Sequence, residues 1–234
     1  SRHGTTGLLA TVAASPPEQM ARALERAAGR IGLGQGAVIL GAHLEGPFVN
    51  PSFNGALNRA CLRKPDLVVA EELLAAGRGG VKAVTLAPEL PGSRELIEML
   101  SSRGVIPALG HSGATFTETV SAAESGLRHI THIFNAMAGI HHREPGPAGA
   151  ALSSEKISAE VIADGRHVHP FILKLLWQSM GDRLALVSDA ISAAGLPDGR
   201  YSFAGQEIAV AGGRAELPCG RLAGSTLTLL EAVK

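Results

Sequence analysis

From Leu8 to Val187 short apolar runs alternate with amphipathic stretches, and few folds accommodate that alternation. A run of four to six apolar residues suits a strand covered on both faces. The stretch after it, with its apolar residues three and four apart, suits a helix packed back on the sheet. Strands are expected at Leu8–Val12, Ala37–Gly41, Val81–Leu86, Val105–Leu109, Ile130–Phe134, Ser158–Ala163 and Leu184–Val187. Helices are expected from Pro16-Pro17-Glu18 through Ala28, from Ser93 through Leu100, and from about Thr117 to a stop at Gly126. These strands make a TIM-like (β/α)8 barrel that lacks one strand, and because the chain opens at Ser1 without methionine the first is expected upstream. Beyond Asp198 the texture changes to short alternating segments, Gly199–Phe203, Glu207–Val210 and Ala215–Leu217, parted by glycines. The expected organisation is a barrel core over 1–198, a small β-meander over 199–221 and the start of a helix over 222–234, in a chain truncated at both ends.

The polar residues fall at the C-terminal ends of these strands. His43 and Glu45 follow the second, His111 follows the fourth, His132 lies in the fifth, His167 follows the sixth and Asp189 the seventh. In a parallel barrel those ends converge on one face, so residues far apart in sequence meet. His43 and Glu45 share parity and both point inward, with Leu44 pointing the other way. A lone buried histidine is usually hydrogen-bonded filler; four histidines and two carboxylates at successive strand ends are a constellation. His129 has the opposite parity to His132 and receives no role, and His3, His141 and His169 are expected at the surface or behind the site. One carboxylate with two imidazoles, leaving positions open, is a ligand set for a catalytic divalent metal. Glu45, His111 and His132 are the expected ligands. Asp189 is the expected proton carrier, since a carboxylate already bound to a cation is the poorer base.

Charge and composition exclude other classes. Lysine plus arginine equals aspartate plus glutamate, 21 against 21, so no net basic field gathers nucleic acid or coats an anionic membrane. Aromatic residues are 3%, too few for a base-stacking platform or an aromatic sugar cleft. No apolar run approaches the roughly 20 residues that span a bilayer. Cys61 and Cys219 are far apart and read as two unreactive thiols suited to a reducing cytoplasm. Gly32-Leu33-Gly34-Gln35-Gly36 precedes a strand instead of following one and is not a dinucleotide loop. Ser112 lacks the Gly-x-Ser-x-Gly frame and is expected to cap the following helix.

Seven ordered motifs then carry a resemblance over almost the whole chain: His43-Leu44-Glu45-Gly46-Pro47-Phe48, Gly110–Ala114, Thr131–Met137, His142–Gly146, Ala163–His167, Ser188-Asp189-Ala190 and Leu222–Ser225. With these the chain resembles the N-acetylglucosamine-6-phosphate deacetylases, metal-dependent hydrolases of the amidohydrolase superfamily. The resemblance implies removal of acetate from N-acetylglucosamine 6-phosphate in amino-sugar catabolism, by a cytoplasmic homodimer. It implies one divalent metal, zinc first, with iron, manganese and cobalt also suited, on Glu45, His111 and His132. It makes Asp189 the acid/base and His167 a residue that contacts the sugar and polarises the amide carbonyl. Asn135 and Ala136 become substrate contacts, and Arg143 becomes a phosphate contact, often supplied by the neighbouring subunit. The sequence departs from the family where Gly55-Ala56-Leu57 stands for Gly-Ala-His, which takes a hydrogen-bonding group from the pocket. That departure keeps open a different or unphosphorylated N-acyl sugar, and a catalytically silent sugar-phosphate-binding remnant stays open beside it.

Overall fold

The computed structural model describes residues 4–33 and 36–234. Ser1–His3 and Gly34–Gln35, and with them the expectation for His3 and the centre of the Gly32–Gly36 run, lie outside the described residues. In chain order the elements are β1 (Gly7–Ala13), α1 (Pro17–Ala28), β2 (Val38–Glu45), α2 (Leu67–Ala76), β3 (Val81–Leu86), α3 (Ser93–Ser102) and β4 (Ile106–Leu109). There follow α4 (Phe116–Glu124), β5 (His129–Ile130), α5 (Gly146–Ser153), β6 (Ser158–Ile162), α6 (Pro170–Met180) and β7 (Leu184–Val187). The last part holds β8 (Gly199–Phe203), β9 (Gln206–Ala211), β10 (Arg214–Glu216) and α7 (Leu229–Val233).

Strands β1 to β7 form one parallel sheet in sequence order, so every crossover returns to the adjacent position. Ala13 pairs with Glu45, Glu45 with Thr85, and Thr85 with Ala108, which aligns the carboxyl ends at one rim. The principal core joins the sheet to its helices: Leu44, Leu86, Leu109 and Ile130 are buried together with Leu24 of α1, Leu96 and Leu100 of α3, and Leu176 of α6. Each such side chain contributes about 1.5–3 kcal/mol by leaving water. Strands β1 and β7 do not pair with each other, and Leu8, Leu9 and Leu186 on them are exposed. β8, β9 and β10 make a separate antiparallel sheet whose Ile208, Val210 and Ala215 pack on Ile191, Leu217 and Ala223. Among the described residues no helix is long and apolar enough to cross a membrane.

Three expectations are corrected. The second strand does not end at Gly41 but runs through Glu45, because β1 and β3 pair with it as far as that residue. The fifth strand is only His129–Ile130, and Thr131 to Ala136 form tight turns in which His132, Phe134 and Ala136 have φ of 31°, 74° and 48°. His132 therefore stands just beyond a strand rather than within one. Ser112 does not cap the next helix: Thr115 does, accepting from the Glu118 amide while Glu118 accepts from the Thr115 amide.

Candidate functional site

His43 and Glu45, two apart on β2, share one side of the sheet and are both buried, while Leu44, on the other side, joins the core. His43 lies deeper and meets the Thr85 hydroxyl at 2.7 Å, which in turn meets the Thr131 hydroxyl at 2.7 Å. Burial holds the His43 ring below its ordinary pKa. His43 is thus part of the packed interior and not of the ligand group.

Glu45, His111 and His132 converge, each offering an atom within 4.8 Å of the others. His111 Nε2 lies 3.0 Å and His132 Nε2 3.1 Å from the same oxygen, Glu45 Oε1. The two rings stand edge to face with centroids 4.9 Å apart. His111 Nδ1 is 3.0 Å from the Phe53 carbonyl, an acceptor, so Nδ1 carries the proton and donates it. With Nδ1 facing that carbonyl, Nε2 is the ring atom that His111 offers toward Glu45. A backbone carbonyl on the far ring nitrogen is a frequent companion of metal-ligating histidines. His132 Nδ1 is buried with no hydrogen-bond partner among the described residues. Burial pushes the Glu45 carboxyl up, but the two imidazoles outweigh it and hold the group well below its usual range. Burial would lower His132, yet the hydrogen bond and charge of Glu45 raise it to about 9. A divalent metal held by these three groups would take the place of the proton on His132 Nε2.

Asp189 follows β7 on the same cavity. Burial of its carboxyl, followed by the negative charge of Glu45, lifts it to about 7, the range of a group that both takes and returns a proton near neutrality. Its backbone is left-handed, φ 46°, as is that of His111 at 50°. Non-glycine residues in this region cost about 1–3 kcal/mol each and cluster where a side chain must be aimed. The Gly224-Ser225 segment locks Asp189 in place. Ser225 N donates to the Asp189 carbonyl at 2.8 Å, the Ser225 hydroxyl donates to the Ser188 carbonyl, and a Cβ on Gly224 would lie 2.9 Å from the Asp189 carbonyl.

His167 lines the cavity with Asn135 and Ala136. Its Nδ1 is 2.7 Å from Asp164 Oδ2, and the Asp164 carboxylate also accepts the amides of Arg166 and His167. Burial raises Asp164, but those bonds outweigh it and leave the carboxyl below its ordinary value. Asn135 is turned partly back, donating Nδ2 to the His132 and Ile133 carbonyls at 3.2 and 3.3 Å. Arg143 is exposed, does not line this cavity, and sits with Nη1 2.5 Å from His142 Nε2. Leu57 does line it, with its side chain packed on Ala14 and Val49. His129, given no role above, holds Glu160 at 3.2 Å and Ser158 at 2.7 Å. His169 caps α6 and His141 stacks on His142.

Two carboxylates escaped the sequence reading. Asp164 orients His167. Glu89, after β3, accepts from Asn50 Nδ2 at 2.9 Å, from the Ser112 hydroxyl at 2.7 Å and from the Gly113 amide at 2.6 Å, tying the His111 loop to the loop after β2. Asp164 could have been noticed from its place three residues before His167; Glu89 carries no local signal. The cavity lined by Glu45, His111, His132, His167 and Asp189 is about 410 Å³, the size of a small-molecule site.

A scan against protein-family models finds no match. Individual proteins are nonetheless similar over the whole chain. N-acetylgalactosamine-6-phosphate deacetylase of Escherichia coli O157:H7 is 39% identical over 235 residues, covering 100% of this chain and 62% of that protein. N-acetylglucosamine-6-phosphate deacetylase of Bacillus subtilis is 40% identical over 236 residues, 99% of this chain and 60% of that protein. Among solved structures, a mutant N-acetyl-D-glucosamine-6-phosphate deacetylase from Mycobacterium smegmatis, in complex with N-acetyl-D-glucosamine-6-phosphate, superposes with a TM-score of 0.94 at 38% identity, over 98% of this chain and 60% of that one. The chain thus spans about three fifths of the length of these relatives. By sequence and by fold alike, the chain is similar over its whole length to N-acetylglucosamine-6-phosphate deacetylases.

Proposed function

We propose that the chain is the catalytic part of a metal-dependent amidohydrolase that removes acetate from the amide of N-acetylglucosamine 6-phosphate, leaving glucosamine 6-phosphate. The observation that carries this reading is the meeting of Glu45, His111 and His132 at one point, on a cavity that also presents a carboxyl poised near neutrality, Asp189. Glu45, His111 and His132 would hold one divalent metal, zinc by the preference of a carboxylate–imidazole set, with iron, manganese and cobalt also compatible. When bound, that metal supplies Lewis acidity toward the acyl carbonyl and toward water at neutral pH. Asp189 takes the proton of the attacking water and returns it to the departing amine nitrogen. His167, its Nδ1 engaged by Asp164, has Nε2 left for substrate: an acceptor for a sugar hydroxyl when the ring is neutral, a donor to the acyl oxygen when it is protonated. Asn135 and Ala136 line the wall where the sugar would lie.

Arg143, exposed and outside this cavity, suits a homodimer in which its loop reaches the site of the second copy. The free thiols Cys61 and Cys219 suit a reducing cytoplasm. A second substrate has specific support: the similar protein from E. coli O157:H7 is named for the galactosamine epimer, and Leu57 takes a hydrogen-bonding group from the wall. The test is acetate release by the metal-loaded chain from N-acetylglucosamine 6-phosphate, its galactosamine epimer and unphosphorylated N-acetylglucosamine. Preference for the first supports the reading; preference for the epimer replaces the sugar. Stoichiometric metal with no acetate from any of them would make the chain a silent binding module.

A further inference from the structure

Two carboxylates, Glu45 and Asp189, line the cavity, and among the described residues its lining contains one side chain of permanent positive charge, Arg221. This arginine follows β10, in a turn closed by the Leu217 amide donating to the Arg221 carbonyl at 2.9 Å. Its Nη1 donates to Gly55 O at 2.8 Å and to Asn54 Oδ1 at 3.2 Å, while its other N–H groups make no hydrogen bond among the described residues. Gly55 is in contact with the site. A Cβ there would lie 3.1 Å from the His111 ring and 3.2 Å from Ala136. Gln206 of β9 donates to the next carbonyl, Ala56 O, at 2.7 Å. The small sheet therefore grips the 54–56 loop at two points, and one of the gripping groups is a cation on the cavity wall.

We propose that Arg221 is the cavity's own-chain anion contact, receiving the phosphate monoester of the substrate and setting preference for phosphorylated over neutral sugars. Glu45 is taken up by the proposed metal, and the sugar's phosphate needs a cationic partner of its own; Arg221 is the cation that this chain itself places on the wall, where its own Arg143 is not. The guanidinium is held at one nitrogen and open at the others, so little side-chain freedom is lost when a phosphate docks. Its planar fork matches two phosphate oxygens. The placement also compensates chemically for Leu57, which offers the wall no hydrogen bond. The proposal deepens the deacetylase reading and rests on it for the identity of the sugar.

The test compares Arg221→Gln, Arg221→Lys and Gln206→Ala. Loss of a charged hydrogen-bond donor predicts that Arg221→Gln raises KM for N-acetylglucosamine 6-phosphate about 10- to 100-fold with kcat little changed, and shifts the unphosphorylated sugar only as far as Gln206→Ala does, through the loop both residues grip. Arg221→Lys recovers part of that loss, and Gln206→Ala, which removes only the grip on the loop, shifts both substrates by the same factor. Calorimetric binding of glucosamine 6-phosphate against glucosamine reads the same preference without turnover. A chain that deacetylates nothing yet shows Arg221-dependent binding overturns the reaction and keeps the phosphate contact. Equal effects of Arg221→Gln on both sugars would make Arg221 only a loop clamp, and so would unchanged binding of glucosamine 6-phosphate; either overturns the proposal.

Discussion

Replacing Glu89 should loosen the loop that carries His111. Its carboxylate takes three donors, Asn50 Nδ2, the Ser112 hydroxyl and the Gly113 amide, at 2.9, 2.7 and 2.6 Å. Asn50 in turn donates its backbone amide to the His111 carbonyl at 3.0 Å, so the same residue reads the position of a proposed ligand. In Glu89→Gln the amide oxygen can keep two donors, but its NH₂ faces the Ser112 hydroxyl, whose oxygen already accepts the Ala114 amide at 3.0 Å. The bond to Ser112 becomes a neutral one in the opposite sense, its hydroxyl proton loses its acceptor, and the other two are weakened, together about 1.5–3 kcal/mol. Glu89 is half-buried and water can refill part of the site, which places the cost near the lower end: about 2 kcal/mol for glutamine and about 3 kcal/mol for alanine. Urea unfolding monitored by circular dichroism measures the stability. Titration of metal into the chelator-stripped protein measures the site, where a displaced supporting group weakens affinity about 10- to 100-fold. If Glu89→Gln unfolds within about 0.5 kcal/mol of the parent and binds metal equally well, Glu89 does not organise the loop.

Asp189→Asn should retain metal but lower kcat about 10²- to 10⁴-fold, because asparagine cannot carry the proton; near-parental turnover with metal bound would remove Asp189 from the mechanism. Chelation should abolish acetate release, and readdition of zinc, iron, manganese or cobalt in turn should restore it to degrees that identify the preferred ion. The metal-free chain should lose stability as pH rises from about 4 to about 9. Asp189, raised from 3.8 to about 7, resists ionising in the folded state; His132, raised from 6.5 to about 9, stabilises the fold below its unfolded value and stops doing so as pH passes about 9. Glu45, held well below 4.5, acts oppositely, its contribution present above that value and lost only in acid. Thermal melts of the stripped protein from pH 5 to 9 check this, and a melting temperature that climbs over that range would contradict it. Asp164→Asn should impair turnover with metal content unchanged, since it removes the charge on His167 Nδ1; loss of metal instead would place His167 within the ligand group.

What the sequence made legible is what period and type can encode. Runs such as Val81–Leu86 and Leu184–Val187 are strands from end to end, because a short apolar-rich run between helical patterns suits a strand of a parallel sheet. Where the chemistry begins, the same rule fails. β2 continues through Gly41, His43 and Glu45, since pairing with both neighbours, and not apolarity, sustains the strand. The fifth strand stops early because His132 and Ala136 need left-handed backbone to aim at the cavity, a requirement that leaves no mark on residue identity. Ligands betray themselves by type at strand ends; the groups that hold ligands do not. Glu89 bonds to residues 39, 23 and 24 positions away, and Arg221 reaches a loop 166 positions upstream. A periodicity argument treats both as solvated charges, and only the folded chain brings them to the site. Strands read from sequence therefore locate the candidate metal site, whereas the residues proposed to tune it and to choose its substrate depend on how the small sheet and the connecting loops meet the rim.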